Sequence, residues 1–126
     1  MKPQRIQLSR KKGWRMPPNT IKVDRTTRWG NPCIVGVHGT REQCVKWLGY
    51  ALRGYIVLGH KNKDGTWLAD QLQAYRKMVK RDRRFLIGKN LACWCPPGAP
   101  CHADILLRVG AKAEKQLGRA MNEEKS

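Results

Sequence analysis

Residues 91 to 106 read LACWCPPGAPCHADIL, which crowds Cys93, Cys95, Cys101 and His102 into ten positions and adds Asp104 two residues on. Soft thiol and imidazole donors at such density raise the chemistry of a zinc ion. The spacing speaks against it. Structural zinc loops usually space their cysteines C-x2-4-C, thiols two apart on an extended strand diverge, and adjacent residues on a helix point about 100° apart. Zinc held by Cys93, Cys95, Cys101 and His102 is therefore the alternative, and no metal is the reading preferred from sequence.

The preferred chemistry is that of a strand, a loop and a helix start. A helix N-terminus offers free N–H groups and a positive dipole end, which suit phosphate or carboxylate. A thiol placed there has a lowered pKa and is more nucleophilic. In this reading Cys101, His102 and Asp104 are the catalytic candidates, with His102 as acid, base or hydrogen-bond donor and Asp104 orienting it or capping the first turn. The bland alternative makes Cys93 and Cys95 small buried hydrophobes and Asp104 a complement to the helix dipole.

A second constellation is RTTRWGNP, residues 25 to 32. Gly30 and Asn31 suit a tight turn, Arg25 and Arg28 are placed to hold a phosphate, and Trp29 either stacks a base or closes the core. Upstream, GWRMPPNT supplies Trp14 and Asn19 in a similar setting of Gly, Pro and Arg. Two such loops flanking one strand are too specialised for simple connectors. The ligand-binding candidates are thus Trp14, Asn19, Arg25, Arg28, Trp29, Gly30 and Asn31.

The pieces QRIQLSRKKGWRMPPNTIKVDRTTRWGNP, a central helical region and LACWCPPGAPCHADIL stand in the order found in a family of small phage and bacterial proteins. The chain resembles that family, domain of unknown function 4326, over roughly residues 3 to 110. The resemblance carries over Gly13, Trp14, Pro17, Asn19, Arg28, Trp29, Gly30, Asn31, Pro32, Cys93, Cys95, Cys101, His102 and Asp104. Cys33 is a departure, since an aromatic residue usually follows Asn-Pro there. No activity comes with the family. It implies a cytoplasmic setting in a bacterium or phage-infected cell, with nucleotide or DNA metabolism as the natural context.

These residues need elements to position them. The chain has 126 residues, enough for one domain with one modest core, and 40% of it is hydrophobic. Ile6 with Leu8, and Ile21 with Val23, alternate with polar neighbours as short half-buried strands do. Thr40 and Gln43 form a capping box ahead of a helix whose apolar face is Cys44, Leu48, Ala51 and Tyr55. The run GYIVLG after it fits either a helix end or a short buried element. DGT at 64–66 reads as a turn and a cap, and Leu68, Leu72, Tyr75 and Val79 then repeat at helical spacing. A strand is expected around Leu91 to Cys95, and a third helix from near Cys101 through Leu106, Val109, Ala113 and Leu117. The expected fold is α/β: one domain over residues 1–118, a short, partly parallel sheet and about three helices, with a frayed tail at 119–126.

Charge supplies the last expectation. Twenty-six Lys and Arg against nine Asp and Glu give +17, a surface that attracts polyanions. Arg10, Lys11 and Lys12 form one dense run, and Lys80, Arg81, Arg83 and Arg84 another; these are the nucleic-acid-binding candidates. No apolar run approaches the roughly 20 residues that span a bilayer, so no membrane partner is expected. Five cysteines in a reducing cytosol read as free thiols, ligands or nucleophiles rather than disulfides. The expected function is binding of a nucleotide or other phosphorylated ligand, free or in nucleic acid, where the RWGNP turn meets the CHAD helix start. A reaction is compatible with that pocket, but the residues name none. The competing expectation is a non-catalytic basic DNA- or RNA-binding protein, stapled by zinc at the Cys/His cluster. Oligomeric state and any cofactor besides zinc are left open.

Overall fold

The computed structural model describes residues 2–125. It comprises β1 (Arg5–Gln7), β2 (Thr20–Lys22), α1 (Arg41–Leu52), α2 (Leu68–Asp82) followed by a 3-10 turn at Arg83–Leu86, β3 (Asn90–Cys93) and α3 (His102–Lys125). The sheet is wholly parallel, in the order β1-β3-β2. Arg5 pairs with Leu91 on one side of β3, and Ile21 pairs with the same Leu91 on the other. The expected α/β architecture is present.

A central parallel strand is buried on both faces, and β3 follows that rule: Leu91 and Ala92 are fully enclosed and Cys93 nearly so. The edge strands are short, yet the ladder runs one residue past each. Leu8 donates to the Cys93 carbonyl at 2.7 Å and Val23 to the Ala92 carbonyl at 2.8 Å, which explains why Leu8 and Val23 are both buried. Because all three strands run the same way, Leu8, Val23 and Cys93 reach one edge of the sheet together.

The capping box of α1 is formed: the Gln43 amide donates to Thr40 Oγ1, and the Thr40 amide to Gln43 Oε1. Cys44, Leu48 and Ala51 are buried as its pattern predicts, but Tyr55 is not on that face. The helix stops at Leu52, and Gly54 takes φ 98°, a left-handed conformation that ends the turn. GYIVLG is an irregular, largely exposed segment rather than a buried element. Leu68, Leu72, Tyr75 and Val79 of α2 all face the core. The DGT turn forms but caps nothing, because Asp64 Oδ1 accepts from the amide and hydroxyl of Thr66 while Trp67 stands at the N-cap. α3 packs on β3, β1 and the 3-10 turn, and α1 packs on α2 and α3. Backbone from residue 119 to Lys125 is helical and belongs to α3; Ser126 lies outside the described residues. Among the described residues no helix is long and apolar enough to cross a membrane.

Candidate functional site

The two constellations meet at the C-terminal edge of the sheet. β2 runs out into Asp24 and Arg25, β3 into Trp94 and Cys95, and α3 begins opposite them; this edge is where open parallel sheets collect ligands. A cleft of about 360 Å³ lies there, within the range of roughly 300–1,000 Å³ common for small-molecule sites. All five cysteines line it, with Arg25, Arg41, Asn31 and His102.

The chain's path past β3 is what brings the thiols together. Strand geometry ends at Cys93 and the backbone bends at Trp94, so Cys95 does not continue the extended alternation on which the sequence argument against zinc rested. The sulfurs of Cys93, Cys95 and Cys101 all lie within 4.8 Å of one another, and those of Cys93 and Cys101 are 3.1 Å apart. The expected divergence of Cys93 and Cys95 is thereby corrected.

Cys101 differs from its expected chemistry as well. The hydrogen bond with Cys93, together with burial, pushes the Cys101 thiol up to about 11, against the smaller opposing effects of His102 and the Ala103 amide. That same bond holds Cys93 below the ordinary thiol range, burial notwithstanding. The helix start thus does not lower the Cys101 thiol, as activation of a nucleophile would require. Burial pushes Cys95 up, and burial with the neighbouring Cys44 thiol pushes Cys33 up.

His102 is buried, with Nε2 at 2.6 Å from the Val23 carbonyl. A carbonyl only accepts, so Nε2 carries the proton. Nδ1 then faces Cys101 Sγ at 3.9 Å. Asp104 does not orient this ring. Its carboxylate accepts from Arg5 Nη1 at 3.0 Å, while Arg5 also donates to the carbonyls of Ala99 and Pro96. One guanidinium from β1 thus fastens the 94–100 loop to the first turn of α3.

The RWGNP turn proves to be mostly scaffold. Trp29 is buried, and its carbonyl accepts from the buried Tyr75 hydroxyl at 2.6 Å. Asn31 uses both ends of its amide, donating to the Cys44 carbonyl and accepting from the Cys33 amide. Gly30 has no room for a side chain: a Cβ there would lie 2.7 Å from Arg25 Cα and 2.7 Å from the Asp24 carbonyl. Arg28 departs from its expected place. It pairs with Asp82 at 3.3 Å and stacks over Trp29 and Phe85, away from the cleft. Arg25 is the arginine of this motif that lines the cleft, with Arg41 of α1 beside it. Arg41 and Asp24 were not picked from sequence, since neither stands in a recognisable pattern. Asp24 is held by the Thr26 hydroxyl and the Trp94 indole.

Asn19 lies at the opposite edge of the sheet, with φ 58°, donating to the Gly88 carbonyl and accepting from Lys89. Trp14 is half-buried in the loop between β1 and β2, its amide bonded to the Lys11 carbonyl. Neither is among the cleft-lining residues. Arg10 stacks over Trp94 at the cleft's border, 4.7 Å from the ring centre, while Lys11 and Lys12 are exposed.

The second basic run divides. Arg81 is bound to Asp82 through two hydrogen bonds, and Arg84 stacks on Phe85. Lys80 and Arg83 instead line a groove of about 560 Å³ among the three helices. Lys46 enters it from α1, Arg53 from the cap just past that helix, Arg76 from α2, and Arg108 and Lys112 from α3. No acidic residue among the described ones lines it, and Arg76 Nε is buried there without a hydrogen-bond partner. Lys46, Arg53, Arg108 and Lys112 lie far from the basic run in the chain and join it only through the packing of the helices.

Residues 6–112 match the family model described as "Domain of unknown function (DUF4326)". No curated protein and no solved structure matches the chain.

Proposed function

The chain belongs to this domain-of-unknown-function family, and from that premise we propose that it binds a nucleotide or other phosphorylated ligand in the cleft at the C-terminal edge of the sheet. The observation that supports this reading is the placement of Arg25 and Arg41 on one cleft of ligand size. Among the described residues neither is paired with a carboxylate, and Asp24, an acid nearby, is engaged by Thr26 and Trp94. Guanidinium groups in such a position bind phosphate through charge-assisted, often bidentate hydrogen bonds. Five free cysteines fit a reducing cytoplasm, where such ligands abound. Calorimetric titration with a panel of ribo- and deoxyribonucleoside mono- and triphosphates tests the reading. Arg25→Ala and Arg41→Ala should each weaken binding by roughly tenfold or more. If the panel binds the double variant as it binds the wild type, the cleft is not the site.

A second reading rests on the groove among the helices. Seven cations with no acid among the described lining residues form the kind of surface that neutralises several phosphates of a nucleic acid. Its test is the salt dependence of binding to a DNA or RNA duplex: log affinity should fall linearly with log salt, and Lys80→Ala with Arg83→Ala should flatten the slope by about two. An unchanged slope would remove the groove from the interface.

A further inference from the structure

We propose that Cys93, Cys95, Cys101 and His102 form a zinc site, with three thiolates and the Nδ1 of His102 as its ligands. The proposal starts from the convergence of the three sulfurs within 4.8 Å of one another, contributed by the end of β3, the bend after it and the residue ahead of α3. Zinc bonds of about 2.3 Å to sulfur and about 2.0 Å to nitrogen place neighbouring ligands of a tetrahedron roughly 3.5–3.8 Å apart. The Cys93–Cys101 separation of 3.1 Å and the Cys101–His102 Nδ1 separation of 3.9 Å lie on either side of that edge length. The three sulfurs already form the group; His102 Nδ1 neighbours Cys101 but stands outside the set within 4.8 Å, so it completes the tetrahedron by moving inward as the ion binds.

The surroundings of His102 are those of a ligand. Metal-bound imidazoles almost always donate their other N–H to a carbonyl or carboxylate, which fixes the tautomer. Here Val23 supplies the carbonyl at 2.6 Å, leaving the Nδ1 lone pair facing Cys101, one of the three thiols. Cys93, Cys101 and His102 are buried, so the site is closed on most sides, as structural zinc sites are. Three thiolates around a divalent ion leave one net negative charge. Arg25 and Arg41 line the same cleft and offset it. Zinc entry displaces three thiol protons, and no electron changes hands. A Cys93–Cys101 disulfide would account for two of these sulfurs but not for the position of Cys95 or the tautomer of His102. A soft sulfur-and-nitrogen tetrahedron selects zinc among common divalent ions.

The test is metal analysis of the full-length protein prepared under reducing conditions, followed by cobalt substitution. One zinc per chain is expected, and the cobalt form should show intense thiolate-to-metal charge-transfer bands. Cys95→Ser, at the half-buried member of the set, should weaken zinc retention against a chelator by roughly tenfold or more, and His102→Ala likewise. Wild-type protein without zinc and without cobalt charge-transfer bands would overturn the proposal. So would a Cys93–Cys101 disulfide in protein purified under reducing conditions, or a His102→Ala variant whose metal affinity and cobalt spectrum match the wild type.

Discussion

His102 Nε2 donates to the carbonyl of Val23 across 2.6 Å, tying the first residue of α3 to the end of β2. Seventy-nine residues separate the two in sequence. The bond sets the orientation of the ring, turns Nδ1 toward Cys101, and helps hold α3 against the sheet edge where the cleft opens. The cleft and the thiol cluster therefore share a frame.

Arg5 is the bracket of the 94–100 loop, with bonds of 2.9, 3.0 and 3.1 Å to Ala99, Asp104 and Pro96. A lysine keeps the charge but lacks the planar fork that reaches all three acceptors. Arg5→Lys should destabilise the fold by on the order of 1–3 kcal/mol, as for lost hydrogen bonds to a charged group. Hydrogen exchange at the Ala99 amide, which bonds to the Pro96 carbonyl, should quicken more than exchange in α2. Uniform quickening across the chain would show that Arg5 supports the whole fold and not this loop.

Tyr75 donates its hydroxyl to the Trp29 carbonyl in the core, and burial raises its pKa above the ordinary phenol range. Tyr75→Phe keeps the ring but strands a buried acceptor, at a cost of about 1–3 kcal/mol. Urea denaturation should report that loss as a lower midpoint with an unchanged slope. A midpoint equal to that of the wild type would mean the carbonyl finds another partner.

Acid should weaken the junction between α2 and the RWGNP turn. Hydrogen bonds from Arg81 hold the Asp82 carboxyl below its ordinary range, and the charges of Arg81, Arg28 and Arg84 add to them against burial. Its value is depressed in the folded state, so its stabilisation is complete above the unfolded value of about 3.9 and is lost as pH falls through the folded value. Asp82→Asn should therefore lower stability at neutral pH, and the gap to the wild type should narrow below about pH 4. Denaturation midpoints measured across that window would contradict the assignment if the gap stayed constant.

Much of the framework was legible in local pattern. The capping box at Thr40 and Gln43, the 68–79 stripe and the short strands at Ile6 and Ile21 are set by neighbours a few residues away, and they formed. What depended on distant partners was not legible. Arg28 sits in the middle of RTTRWGNP, yet its charge is taken by Asp82 on α2. Asp104 is two residues from His102, yet it turns to Arg5 on β1. Cys93 and Cys95 would diverge on a continuing strand, but β3 ends and the chain bends at Trp94. Leu52 ends α1 because Gly54 takes a left-handed φ, so a periodic face extended to Tyr55 overshot. Each miss came from assigning a role by sequence proximity where a long-range contact or a backbone turn decided it.

The most direct measurement of the central claim is a paired binding experiment at physiological salt. The nucleotide panel and a DNA or RNA duplex are each titrated into wild type, into the Arg25→Ala/Arg41→Ala pair and into the Lys80→Ala/Arg83→Ala pair. Phosphate binding in the cleft predicts that the first pair loses affinity for a nucleotide by roughly a hundredfold while the second retains it. A nucleotide affinity untouched by the first pair, or lost equally in both, would contradict the account.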